Sequence, residues 1–242
     1  MTETIRHTTR IRHEARRREV HVVGVESIGT TFLSATFGGA DLDGFTSLGF
    51  DDHLKFIIPG PGGEEVKRDF TPRHFDPNRN LLTIEFAMHE SGVADAWARK
   101  ALPGDTAVVG GPKGSVVVPL DYPWHLLIGD ATALPAIARR VEELPPEVTA
   151  HVVALGEPRS FGARANLETD WCESEDALVA AVRATPFNSD GFVWCAGEAG
   201  LMARLRDIVV GEKAQPKHAT RIAGYWQRGG AGKHSTLESG VL

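Results

Sequence analysis

Six consecutive residues, Arg68-Asp69-Phe70-Thr71-Pro72-Arg73, put two cations, an aromatic ring and a hydroxyl just after the turn Pro59-Gly60-Pro61-Gly62-Gly63. In an extended segment alternate side chains share a face, so Arg68 and Phe70 point together and Thr71 turns to the other side. A guanidinium pairs bidentately with a pyrophosphate, an aromatic face stacks on a flat heterocycle, and a threonine hydroxyl exchanges a hydrogen bond with a ring nitrogen. The set suits a phosphorylated, flat-ring cofactor. It also suits a solvated edge strand with one half-buried phenylalanine, and on the hexapeptide alone that plainer reading is favoured, because such matches are common.

Further candidates stand where strands give way to helices. Gly129-Asp130-Ala131-Thr132-Ala133-Leu134-Pro135 follows an apolar run and opens a helix, and Trp194-Cys195-Ala196-Gly197-Glu198-Ala199-Gly200 repeats that layout. Small residues admit a close backbone or ligand, and helix N-terminal amides favour anions. Neither stretch is G-x-G-x-x-G, so a tight strand-to-helix turn explains each as well. Two such crossings fit a nicotinamide dinucleotide along the carboxyl edge of a parallel sheet, with Asp130, Gly197, Glu198 and Trp226 in its region. Glu198 either caps its helix or faces the nicotinamide, since a carboxylate repels a pyrophosphate. Cys195 reads as a small core residue. Arg159 and Arg164 suit a 2′-phosphate while Glu157 suits a free 2′-hydroxyl, so NADH and NADPH both stay open. Gly224-Tyr225-Trp226-Gln227-Arg228-Gly229-Gly230 offers an aromatic pair and a cation at a strand end, or a core tryptophan beside a solvated arginine.

Other chemistries find little support. No histidine pair stands at i, i+4 in a candidate helix, and Cys172 and Cys195 are too far apart for a zinc site, so no metal is expected. No nucleophile elbow occurs. A net charge of -6 argues against nucleic-acid binding. Two cysteines make no disulfide framework, and a reducing, cytoplasmic setting is the default. No apolar run reaches the length of a membrane span, so no stable membrane association is expected. The arginines between Arg6 and Arg18 are followed by no apolar h-region and read as a frayed, solvated start to the first strand.

The elements that must position these groups fall into two patterns. Short strands at Val20–Val25, Thr31–Phe37, His53–Ile58, Leu81–Ala87 and Ala107–Val109, punctuated by Gly/Pro turns, predict an antiparallel β-barrel. One short helix, Val93–Lys100, interrupts them, with Ser91 as a candidate cap. Beyond Pro119, strands at His125–Ile128, Val148–Leu155, Gly191–Cys195 and Ile222–Trp226 alternate with helices at Leu134–Leu144, Ala177–Ala184 and Gly200–Val210. That alternation predicts an α/β domain with a parallel sheet. The expected division is 1–118 and 119–242, with the linker near Gly114 to Tyr122.

In this order the pieces resemble the siderophore-interacting proteins, flavin-dependent ferric-siderophore reductases of the ferredoxin-reductase-like superfamily, from about Val20 to Gly229. The resemblance rests on Asp52-His53-Leu54-Lys55, Arg68 to Arg73, His89 with Gly92 to Ala98, Gly111-Pro112-Lys113-Gly114-Ser115, Gly129 to Pro135, Ala196 to Ala199, and Gly224-Tyr225-Trp226. It implies a barrel that binds FAD and an α/β domain that binds NADH or NADPH. It also implies a reaction in which electrons pass through the flavin to Fe(III) in a siderophore, releasing the weakly held Fe(II); no protein residue is catalytic, because the flavin carries the chemistry. Carried over by position, Arg68 contacts the FAD phosphates, Phe70 stacks on the flavin, and Asp69 and Thr71 lie beside it. His89, Val93, Ala94 and Asp95 form a second FAD segment, and Thr132 faces the flavin from the other domain. Lys55 and Arg228 belong to a basic set that attracts an anionic ferric chelate. Phe70 stands where the family usually has tyrosine, and Ala131 where it usually has glutamate. A protein-acceptor reductase, or a siderophore-binding module without turnover, are the alternatives. A monomer is the default.

Overall fold

The sequence folds as two compact units in a computed structural model that describes residues 6–88, 92–187 and 190–229, with backbone alone for 235–239. The first unit spans Arg10–Val117. Its strands are β1 (Thr9–Arg12), β2 (Arg17–Ile28), β3 (Phe32–Gly38), β4 (Leu54–Pro59), β5 (Glu65–Phe70), β6 (His74–Asp76), β7 (Leu81–Ala87), β8 (Thr106–Gly110) and β9 (Gly114–Val117). Among the described residues, seven of them form an antiparallel sheet in the order β5-β4-β8-β2-β3-β7-β6, while β1 pairs with β9. Period-two burial drives the assembly. Along β2, Arg18, Val20 and Val22 turn inward while their neighbours face out; on β4, Leu54, Phe56 and Ile58 are buried in the core, and Ile57 on the opposite face is covered as well. The sheet curls until Phe70 on the edge strand β5 lies 4.6 Å, ring to ring, from Phe86 on β7. The core of Phe37, Phe56, Leu82 and Ile84 fills the interior.

Helix α1 (Val93–Ala98) starts on the N-cap Gly92 with no side-chain cap and ends two residues before the expected Lys100. The candidate cap Ser91 lies outside the described residues. Trp97 of α1 packs on Phe37 and Phe56, which fixes the helix against the sheet.

The second unit runs from Val118 and also takes the segment preceding Arg10. Strands β10 (Trp124–Gly129), β11 (Thr149–Leu155), β12 (Leu167–Cys172), β13 (Phe192–Glu198), β14 (Thr220–Trp226) and β15 (Ser235–Ser239) stand in the order β12-β11-β10-β13-β14-β15. All neighbours are parallel except β15, which runs antiparallel to β14. The intervening helices are α2 (Leu134–Glu143), α3 (Glu175–Ala184) and α4 (Ala199–Arg206). β13 is buried along its whole length, as a parallel strand covered on both faces must be. Pro135 in the first turn starts α2 without losing a helical hydrogen bond, and Ser174 caps α3 by accepting from the Ala177 amide at 3.2 Å. The expected helix Gly200–Val210 is shorter, because the chain widens into a π turn over Asp207–Glu212.

Two expectations need correcting. Residues 1–118 do not all belong to the first unit: Arg6 pairs with Asp121 at 3.2 Å and Asp190 at 2.5 Å, and stacks 4.8 Å over the Tyr122 ring. Nor is the arginine cluster a uniformly solvated fringe, since Arg18 is 4% exposed.

At the amino end of β10, His125 is fully buried, and neither ring nitrogen has a hydrogen-bond partner among the described residues. Burial, reinforced by the charges of Arg140 and Arg164, pulls its pKa well below the usual imidazole value. The unfolded chain therefore binds a proton near pH 6.5 that the folded chain refuses, so acidification below that point favours unfolding. We expect wild type to lose stability below pH 6.5 by up to about 1.4 kcal/mol per pH unit from this group. His125→Leu should flatten that slope in urea melts at pH 7.5, 6.5 and 5.5; an unchanged slope would refute the assignment.

Candidate functional site

In the first unit the site grows from register. β5 pairs with β4 so that Arg68 lies opposite Phe56 and Phe70 opposite Leu54. Directly opposed residues share a face, so Arg68 and Phe70 both stand on the face that carries the core, while Asp69 shares the outer face with Lys55. Phe70 is half-buried; its ring lies 4.6 Å from Phe86 and 5.8 Å from Phe56, which commits one side to the core. Arg68 is exposed and donates to the Lys67 carbonyl at 2.9 Å, with no carboxylate partner among the described residues. Thr71 is buried at the strand end. Lys55 donates to Asp69 Oδ2 at 2.7 Å, and Arg73 pairs with the buried Glu85 at 3.1 Å.

The second segment begins at α1. Ala94 and Asp95 are buried, Val93 packs on the barrel core, and Asp95 Oδ2 accepts from Arg99 at 3.2 Å. His89 lies outside the described residues. Asp69 Oδ1 and Asp95 Oδ1 are both buried without a hydrogen-bond partner. Buried carboxylate oxygens normally find donors; Asp69 stands on the face away from Arg68 and Phe70, whereas the Asp95 acceptor, with the exposed Arg68 guanidinium, fits a ligand bearing phosphates, hydroxyls and amide N–H groups. FAD carries all three.

In the second unit the strand order reverses between β10 and β13, the place where open α/β sheets bind ligands beyond their carboxyl ends. Asp130 leaves β10 there and organises the edge. Its Oδ1 accepts from the Thr132 amide at 2.9 Å and the Thr132 hydroxyl at 2.6 Å. Its Oδ2 accepts from the Glu198 amide and from Trp226 Nε1, each at 2.8 Å. Gly197 has φ 151°, and a Cβ there would sit 2.5 Å from Asp130 Oδ2, so only glycine admits this approach. One carboxylate thus ties together the ends of β10, β13 and β14.

The structure answers the question left open at Glu198. Its carboxylate caps α4, accepting from Gly200 at 2.6 Å and Leu201 at 3.0 Å, and also takes the Arg228 amide at 3.0 Å. The Arg228 amide, with those of Leu201 and Gly200, holds the carboxyl below its ordinary range. The amino end of α4 is therefore occupied by its own cap. Arg228 extends its guanidinium to Glu175 at 2.7 Å and remains largely exposed.

Arg164 does not serve a 2′-phosphate. It donates to the carbonyls of Val141, Leu144, Pro145 and Val148, closing the carboxyl end of α2. Those carbonyls lack helical donors, which is why an arginine fits there. Arg159 lies 5.7 Å from the Phe161 ring. Cys195 is fully buried, and burial drives its thiol far above the ordinary range, so it is inert. Among the described residues no group of three or more His, Cys, Asp or Glu side chains gathers as a metal site, and no helix is long and apolar enough to cross a membrane.

A family model described as "Siderophore-interacting FAD-binding domain" matches residues 63–116, and one described as "Siderophore-interacting protein" matches residues 122–229. The chain is 35% identical to an NADPH-dependent ferric-chelate reductase of Escherichia coli (strain K12), over 93% of this chain and 99% of that protein. It is 24% identical to a ferric vibriobactin reductase of Vibrio cholerae serotype O1, over 84% and 86% of the two chains. Among solved structures, a siderophore utilization protein from T. fusca superposes with a TM-score of 0.86 at 31% identity, covering 93% of this chain and 98% of that one.

Proposed function

The chain belongs to the siderophore-interacting protein family, and from that premise we propose that it is a flavoprotein oxidoreductase that passes electrons from NADH or NADPH through FAD to a ferric siderophore. When bound, FAD supplies the conversion of a two-electron donor into single-electron delivery to Fe(III), which the chelator then releases as Fe(II). The observation that carries this reading is the exposed Arg68 guanidinium, held only by its neighbour's carbonyl, on the same face as half-buried Phe70, within the segment matched by the FAD-binding model.

The residues divide the work. Arg68 pairs with the FAD phosphates, and the exposed side of Phe70 takes the ring, with stacking in place of a tyrosine's hydroxyl contact. Thr71, Val93 and Ala94 line the cofactor, and the open oxygen of Asp95 accepts its hydroxyl or amide protons. Asp130 holds Thr132, Gly197, Glu198 and Trp226 as one edge for the nicotinamide. Lys55 and Arg228 attract the anionic chelate. Each is already ion-paired, to Asp69 and to Glu175, so a chelate competes with those carboxylates for the two cations. The protein works as a cytoplasmic monomer in this scheme.

The test is anaerobic turnover of the FAD-loaded protein with NADH or NADPH, a ferric chelate and a ferrous trap. We expect enzyme-dependent Fe(II) formation. A rate no higher than that of free FAD, or a protein that neither carries nor takes up flavin, would sink the proposal.

A further inference from the structure

A pocket of about 270 Å³ in the first unit is lined by Arg12, His13, Arg16 and Arg18 with Glu14, Thr46 and the Gly111-Pro112 turn. It shares no residue with the Arg68–Arg73 segment or with α1. Three arginines and one glutamate line it, and no ion pair joins any of the three arginines to a described residue. Eight other arginines do pair with acids: Arg6, Arg17, Arg73, Arg99, Arg139, Arg183, Arg204 and Arg228.

Arg18 is the most informative member. It continues the inward row of Val20 and Val22 and is 4% exposed, at a position where the pattern calls for an apolar side chain. Its Nη1 donates to the carbonyls of Arg16 and Gly111, each at 3.3 Å, and its guanidinium carbon lies 5.5 Å from the Phe45 ring. Its Nε is buried with no hydrogen-bond partner. Burial, and then the charge of Arg16, hold the guanidinium below its ordinary pKa, against the opposing pull of the Asp41 and Glu14 carboxylates. Neither carboxylate reaches ion-pair distance, and a buried charge without a directly paired partner is costly. A structural arginine tying β2 to the Gly111 turn accounts for Nη1 and for the ring contact. It does not account for the bare Nε, nor for two more uncompensated arginines at the same cavity.

The fourth wall is also built. His13 Nε2 lies 2.7 Å from Ser115 Oγ, which donates to the buried Asp52 at 2.5 Å and accepts from the Leu48 amide at 3.0 Å. With its own proton given to Asp52, Ser115 receives the His13 proton, so the imidazole is held in place at the edge of the pocket.

We propose that this pocket is a binding site for a compact polyanion carrying phosphate or carboxylate groups, held by Arg12, Arg16 and Arg18 and separate from the FAD site. Guanidiniums pair bidentately with either group, and the volume exceeds what a single phosphate fills.

The test uses the FAD-loaded protein at constant ionic strength, titrated calorimetrically with pyrophosphate, citrate and, as the control for non-specific attraction, sulfate. Saturable one-to-one binding of pyrophosphate supports a condensed phosphate, and of citrate a polycarboxylate, with sulfate at least tenfold weaker. Arg12→Gln with Arg16→Gln changes two exposed side chains and should weaken binding at least tenfold while flavin content and the far-ultraviolet spectrum stay as in wild type. Equal binding of all three anions, no saturable binding, or unchanged affinity in the double variant would overturn the proposal. So would loss of FAD in that variant, which would make these arginines part of the cofactor site. Failure here leaves ferric-chelate turnover untouched, so the two proposals are tested apart.

Discussion

Arg68→Ala is expected to purify without flavin colour and to need added FAD for any turnover. The guanidinium sits on an edge strand, exposed, and spends its one hydrogen bond on the carbonyl of its own neighbour Lys67. Nothing in the folded chain therefore depends on it, and the apoprotein should melt within about 0.5 kcal/mol of wild type. What the substitution removes is the charged partner of the FAD phosphates. Hydrogen bonds to a charged group contribute about 1.5–3 kcal/mol, so FAD should bind roughly 10- to 150-fold more weakly. Arg68→Lys, a point charge without the planar fork, should fall between the two. Fluorescence titration of the apoproteins with FAD reads all three. Wild-type affinity in Arg68→Ala would remove Arg68 from the cofactor site, and a large drop in apoprotein stability would show that it serves the fold instead.

The contrast with Phe70 explains what could be read in advance. Alternation alone places Arg68 and Phe70 on one face, and the register against Phe56 and Leu54 has them so. The same local logic finds the principal strands of both units, because burial on one face writes a period of two and burial on both faces writes a continuous apolar run. It misses β12, whose sequence Leu-Glu-Thr-Asp-Trp-Cys is mostly exposed at the sheet edge and carries no such signal. It misses β9 and β6 for a different reason: strands of four and three residues are too short to show a period.

Long-range partners are the larger loss. Nothing local says that Glu198 also accepts the Arg228 amide, that Arg164 gathers four carbonyls at the end of α2 and just past it, or that Lys55 answers Asp69. Each of these charges reads from sequence as available to a ligand, and the fold has already engaged it. Arg18 is the reverse case. It reads as one more cation in a solvated cluster, and only packing shows that it is buried with no carboxylate at ion-pair distance.

Asp130 joins both lessons and carries the largest stability effect expected for a single residue here. Its side chain accepts four hydrogen bonds, two from Thr132 and one each from the Glu198 amide and the Trp226 indole, and it is 6% exposed. Asp130→Ala leaves the buried Glu198 amide unpaired and frees the indole that anchors the end of β14. Each unsatisfied buried donor costs about 1–3 kcal/mol, and the Thr132 turn loosens as well. We expect a loss of about 3 kcal/mol or more, seen as a drop in melting temperature of roughly 6–12 °C. Trp226→Phe removes one donor and keeps the ring, so it should cost about 1 kcal/mol. The functional consequence separates from the structural one by which ligand suffers. Because Asp130 orders the edge proposed for the nicotinamide, and Arg68 and Phe70 lie in the other unit, Asp130→Ala at a temperature well below its melting point should retain FAD while its KM for the nicotinamide donor rises. Flavin loss with an unchanged KM would reverse the assignment. A melting temperature equal to wild type would mean that the four hydrogen bonds do not hold the ends of β10, β13 and β14 together.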